Sequence, residues 1–176
     1  MLFVITQFLP VSGYADEPAG VVLYPSMTVR QETGLLTGDQ SLIAVDLRAG
    51  YRISSGFFFG MIYSDTSGGG TNSVNETAFG NSVGYFSGVF SIVASIYLYA
   101  QSNENTSTAA VTRSQGIGVQ LDMGFMFPIG SGFSVGPLLT FKNISYKKQE
   151  DGNGNLSNTN QPQSYFTPYL GTTFVF

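Results

Sequence analysis

The stretch that most restricts what this chain can become is residues 40–53, where Ile43, Val45, Leu47, Ala49, Tyr51 and Ile53 occupy one parity and Asp46, Arg48, Gly50 and Arg52 the other. A period of two is the signature of a β-strand, because successive side chains leave opposite faces of the backbone. This strand therefore has one apolar face and one face carrying three charges. An arginine set against hydrocarbon at a bilayer midplane costs about 2–4 kcal/mol, so in a lipid-embedded sheet the charged face must be enclosed. In a soluble sheet the apolar face would be enclosed instead. The rest of the chain decides between them.

Residues 114–141 form two alternating runs about the turn Gly130, Ser131, Gly132. Ile117, Val119, Leu121, Met123, Phe125, Phe127 and Ile129, then Phe133, Val135, Pro137, Leu139 and Phe141, share one parity. The opposite parity is mostly Gly, Ser, Thr and Gln, with few charges. Charged residues are only 10% of the chain, against about a quarter in soluble domains, so a water-facing exterior is poorly supplied. A barrel whose outside meets lipid and whose narrow inside is polar accounts for both facts. No window reaches the roughly 18 uninterrupted apolar residues of a transmembrane helix; residues 83–100 come nearest and are broken by Gly84, Ser87, Gly88, Ser91 and Ser95. Any membrane span must then be made of strands.

Several chemistries are excluded by composition. The chain has no histidine and no cysteine, which removes Ser-His-Asp and Cys-His catalysis, thiolate chemistry, disulfides and His- or Cys-based metal sites. Its net charge of −4 with no basic tract gives no footing for nucleic acid. Asp46 and Asp122 could in principle form an acid–base pair, but carboxylates set among arginines more commonly serve a structural charge network. No catalytic residue, metal or cofactor is expected.

Taken in order, residues 1–15 are an apolar run ending in Gly13, Tyr14 and Ala15, which fits a signal peptide with its small residues at the cleavage site. Residues 16–176 make one domain. Eight strand-like segments follow at residues 20–30, 40–53, 57–65, 78–86, 89–102, 114–129, 133–148 and 164–176. Pro25 cannot donate to a ladder, so a bulge is expected there. Loops at residues 31–39, 67–77, 103–113 and 149–163 are long, while the turns at 54–56, 87–88 and 130–132 are short. Alternate long and short connections describe an up-and-down antiparallel barrel with its turns on one rim and its loops on the other.

The last strand adds a resemblance. Tyr169, Leu170, Gly171, Thr172, Thr173, Phe174, Val175 and Phe176 resemble the terminal strand that bacterial outer-membrane proteins present to the barrel-assembly machinery. With seven alternating segments before it, the chain resembles the small outer-membrane barrels of the OmpX, OmpW and OmpA-transmembrane kind. The resemblance implies an all-β, eight-stranded transmembrane barrel in the Gram-negative cell envelope, short turns in the periplasm and loops outside. It also implies lipid and lipopolysaccharide as surroundings, a monomeric state, and an assembly signal at Tyr169, Leu170, Phe174 and Phe176. Tyr51, Tyr63, Phe127, Phe133 and Phe174 are expected in the aromatic girdles at the headgroup level.

The interior is expected to hold Tyr24, Arg30, Asp46, Arg48, Arg52, Tyr97, Tyr99, Gln101, Gln120, Asp122, Lys142 and Tyr169. An eight-stranded barrel leaves room for its own side chains or one small ligand, and buried charges persist when paired. Arg30, Asp46, Arg48, Arg52, Asp122 and Lys142 are accordingly expected to form a structural plug. Two other functions compete with a structural or loop-mediated surface role. One is a narrow porin-like pore for small solutes, as in OmpW-like barrels. The other is a soluble lipocalin-like carrier with the faces reversed, which the charges opposite Ile43, Val45 and Leu47 disfavour.

Overall fold

The computed structural model describes residues 19–34, 38–69, 73–105 and 110–176; the proposed signal peptide at 1–15 lies outside them. Nine strands are formed: β1 Gly20–Gly34, β2 Gly38–Arg52, β3 Phe57–Gly68, β4 Ser73–Ser87, β5 Phe90–Asn105, β6 Ala110–Phe125, β7 Phe127–Gly130, β8 Phe133–Asp151 and β9 Leu156–Val175. Neighbours in sequence pair antiparallel, save β6 and β7, and β1 pairs with β9 to close the sheet. β6 and β7 both pair with β8 and make a single barrel strand interrupted at Met126. There the backbone N–H turns to the carbonyl of Val89, 2.6 Å away. The molecule is thus a closed, eight-stranded, up-and-down antiparallel barrel.

The parity of the sequence sets the sidedness. Ile43, Val45, Leu47 and Tyr51 on β2 and Ile53 just beyond it are all exposed, while Asp46 and Arg48 are 0% exposed. Residues 43 to 53 cover about 33 Å along a strand at ~3.3 Å per residue. Tilted by ~40°, that is a band about 25 Å tall, the hydrocarbon-facing height of membrane barrels. Aromatic rings gather at the short-turn rim: Phe57 lies 5.1 Å from Tyr85, Phe90 6.1 Å from Phe125, and Phe133 4.9 Å from Phe174. Tyr51 and Phe127 join them on the outer face, and Tyr63 forms a higher row with Phe79 and Tyr99.

Four expectations are corrected. First, the long loops are largely strand: β1 to β9 run well into residues 31–39, 67–77, 103–113 and 149–163, leaving only short tips. Outside the apolar band both strand faces can be polar, so the alternation that marks a strand vanishes although pairing continues. Second, Pro25 makes no bulge against β2, where it pairs in register with Leu47; its missing N–H interrupts the ladder to β9 instead. Third, Tyr99 and Gln101 leave the interior. A register shift between Tyr97 and Ala100 moves the inward parity to Ala100 and Ser102, and the Tyr99 hydroxyl donates to Gln101 Oε1 at 2.6 Å on the outer side. A bulge inserts one residue and therefore exchanges faces. Fourth, the interior is not uniformly polar. Phe58, Phe86, Ile62, Leu138, Ile144 and Tyr146 are buried inside it.

Reversing one outward residue tests the sidedness. Leu47→Arg should lower the unfolding free energy in lipid vesicles by about 2–4 kcal/mol, measured by denaturant titration. An unchanged midpoint would mean that Leu47 does not face hydrocarbon.

Candidate functional site: the barrel interior

Residues two apart on a strand share a face, so Asp46 and Arg48 of β2 and Gln120 and Asp122 of β6 enter the lumen as two pairs. β2 and β6 stand four strands apart in either direction around the eight-stranded circle, so these pairs meet from opposite walls. Arg48 NH2 donates to Asp122 Oδ2 in a fully buried ion pair, and Asp46 Oδ2 lies 3.8 Å from the same nitrogen. Gln120 Nε2 donates to Asp46 Oδ2 at 2.7 Å and faces Asp122 Oδ1 at 3.1 Å. The Tyr97 hydroxyl of β5 donates to Gln120 Oε1 at 2.6 Å, and Thr140 Oγ1 of β8 to Asp122 Oδ1 at 2.5 Å. Arg48 also reaches Ser26 Oγ of β1 at 3.5 Å and stands 5.4 Å from the centre of the Tyr24 ring. Five strands therefore contribute to one cluster, in which the Arg48 guanidinium meets residues of β1, β2 and β6 while β5 and β8 hold Gln120 and Asp122.

A second cluster lies toward the long-hairpin end. Lys142 Nζ of β8 donates to Glu76 Oε1 at 2.7 Å and to Ser64 Oγ at 3.0 Å. Tyr146 donates to Glu76 Oε2 at 2.9 Å. Lys142 Nζ is 5.2 Å from the Tyr97 ring, which joins the two clusters. Lys142 thus pairs with Glu76 rather than Asp122. Glu76 sits in a Gly- and Asn-rich segment read as loop, and only the continuation of β4 into that segment turns it inward. Near the mouth, Arg113 pairs with Glu104. The left-handed backbone of Gln115, φ 54°, accompanies the irregular pairing between β5 and β6 that puts Arg113 inside.

The remaining expected residues lie elsewhere. Arg30 stacks on the Tyr165 ring, 3.6 Å from its centre, high on the wall between β1 and β9. Arg52 stands at the short-turn end, 5.8 Å from the Phe86 ring. It lines a cleft of about 340 Å³ with Val89, Pro128, Phe133, Ser134 and Thr173. An apolar cluster that includes Val22, Phe58, Phe86, Met126 and Leu138 fills the barrel at that end. From one end to the other the described interior reads cleft, apolar layer, charge cluster, then Ile62, Ala78, Ile144 and Tyr146 packed about the second cluster. Of the terminal residues, Tyr169 is buried in the first apolar cluster, while Leu170, Phe174 and Phe176 face outward.

Among solved structures, the crystal structure of Neisserial surface protein A matches over 91% of this chain and 100% of that chain, with a TM-score of 0.58 and 14% sequence identity. The fold is that of a small outer-membrane β-barrel. At 14% identity the likeness extends to architecture alone. No family model and no curated protein matches the sequence.

Breaking a buried pair leaves an uncompensated charge, which costs about 3–5 kcal/mol. Asp122→Leu should therefore lower thermal stability in detergent markedly, and unchanged melting would show that the cluster does not brace the barrel. Glu76→Leu and Lys142→Met should each destabilise by about that amount, and the double variant by clearly less than their sum. Additive effects in this cycle, read from denaturant midpoints, would mean that the pair is not coupled.

Proposed function

We propose that this chain is an integral outer-membrane protein with a sealed lumen, serving a structural or surface-interaction role through the hairpins that rise above its apolar band. The observation that carries this reading is the combination of an outward apolar band with an interior closed by its own side chains: Arg48, Gln120 and Asp122 are each no more than 1% exposed. The fold shared with a protein named for the surface supports the location. In such a barrel the short turns face the periplasm and the hairpins β1–β2, β3–β4, β5–β6 and β8–β9 face outward. Its surroundings are then lipid and lipopolysaccharide, and Tyr169, Leu170, Phe174 and Phe176 are the residues offered to the assembly machinery. The burial of Arg48, Gln120 and Asp122 in the lumen favours this reading over the competing narrow pore, and no enzymatic step is assigned.

The described hairpin tip is preorganised for exposure. Asp151 accepts from Asn155 Nδ2 at 3.0 Å and from the backbone N–H groups of Asn155 and Asn153, each at 2.9 Å. The Asn155 side chain, then its backbone N–H, hold this carboxylate below its ordinary pKa. A lowered pKa means that the tip's bonds are kept at neutral pH and lost only as pH falls through the lowered value. The Asn153 and Asn155 amide resonances should move below the usual carboxylate range, following protonation of Asp151. Amide shifts that titrate at an ordinary aspartate pKa would contradict this.

Planar-bilayer recording tests the function. The refolded protein should be electrically silent. Stable unitary currents from the unaltered chain would establish the pore instead. An epitope inserted at residues 152–155 should be reachable by antibody on intact cells and one at 54–56 should not; the reverse would invert the orientation.

A further inference from the structure

Seven of the eight interstrand seams are ladders of eleven or more residue pairs. The eighth, between β1 and β9, has four: Val22 with Val175, Leu23 with Phe174, Ser26 with Gly171, and Met27 with Leu170. It skips Tyr24 and Pro25 and ends at Met27. Beyond that point β1 continues to Gly34 paired with β2, and β9 pairs only with β8. The sequence supplies a reason, since Pro25, Pro162 and Pro168 all lie in these two strands and proline cannot donate to a ladder.

Side chains take over where the backbone lets go. Thr172 Oγ1 donates to the Pro25 carbonyl at 3.4 Å, and above the last pair Arg30 of β1 stacks on Tyr165 of β9. On the outer face of the interrupted ladder lies a crevice of about 150 Å³, bounded by Pro25, Met27, Val45, Leu170 and Thr172. It lies within the apolar band: Met27, Val45 and Leu170 are all exposed outward, as are Val29 and Phe166 above them.

We propose that this seam binds one acyl chain of a membrane lipid, resting on the reading that the barrel is membrane-embedded. The crevice opens where the surrounding medium is hydrocarbon, so its natural occupant is hydrocarbon. Moving a chain from bulk lipid to protein gains nothing from water exclusion, so preference must come from close packing against a fixed surface. Elsewhere the band presents continuous laddered sheet, whereas here a recess is bounded by a rigid proline. Above it, at the height of Val29, β1 and β9 are no longer paired with each other.

The test is photolabelling in phosphatidylcholine vesicles containing a phosphatidylcholine with a diazirine on its acyl chain, with adducts mapped by mass spectrometry. Met27 and Leu170 should be labelled several-fold more than the outward Val83 and Ile96 on the far wall. Thr172→Trp, which fills the crevice, should bring Met27 down to their level. Leu170→Trp serves the same purpose should the first variant fail to fold, as judged by its heat-modifiable mobility. Equal labelling around the belt, or unchanged enrichment at Met27 in the filled variant, overturns the proposal and leaves the membrane reading intact. Absence of label from every outward position, Val83 and Ile96 included, overturns the membrane reading as well.

Discussion

The ion pair between Arg48 and Asp122 is the interaction on which the interior depends. It spans the full width of the barrel, from β2 to the wall opposite, and is fully enclosed. Neither charge could be turned outward, because parity would move every apolar neighbour of β2 or β6 into the lumen at the same time. The exterior therefore dictates that charges lie inside, and the small lumen dictates that they meet. Gln120 donates to Asp46 Oδ2 and Thr140 to Asp122 Oδ1, which eases the enclosure of two carboxylates and one guanidinium, while Asp46 Oδ1 and Arg48 Nε are left buried without a hydrogen-bond partner among the described residues.

Much of this was legible in the sequence because a lipid-facing strand is read by its charges as much as by its apolar residues. On β2 three charges on one parity identified the inner face, and the hairpin at residues 114–141 identified its direction. β3 carries Phe57, Phe58 and Phe59 in succession, and parity alone gives no sign that Phe58 helps fill the barrel. Glu76 was hidden by the glycine- and asparagine-rich sequence around it, although an isolated carboxylate three residues from Phe79 could have raised the question of what cation it meets. The reversal at Tyr99 has no marker at all, since Leu98 and Tyr99 include neither glycine nor proline to announce a bulge. The hairpin arms were missed for a solvent reason: in water both faces of a strand can be polar, and nothing alternates.

The two charge clusters and the weak seam are parts of one mechanical arrangement. A closed sheet ordinarily holds its shape through continuous ladders, each neighbour restraining the next. Between β1 and β9 that restraint consists of four residue pairs from Val22 to Met27 and the bond from the Phe176 N–H to the Val21 carbonyl, so higher up the wall must be held from inside. Arg48 bonds to Ser26 on β1 while paired with Asp122 on β6, and Tyr24 of β1 and Tyr169 of β9 share one apolar cluster. These contacts cross the lumen or its lining rather than the seam. The filled interior thus does what the missing ladder would have done, and a lumen emptied to conduct solutes would leave the β1–β9 wall held by the Arg30–Tyr165 stack and little backbone. Filling and closure are for this reason linked: Tyr24 and Tyr169 occupy the lumen and bring the first and last strands together in one apolar cluster.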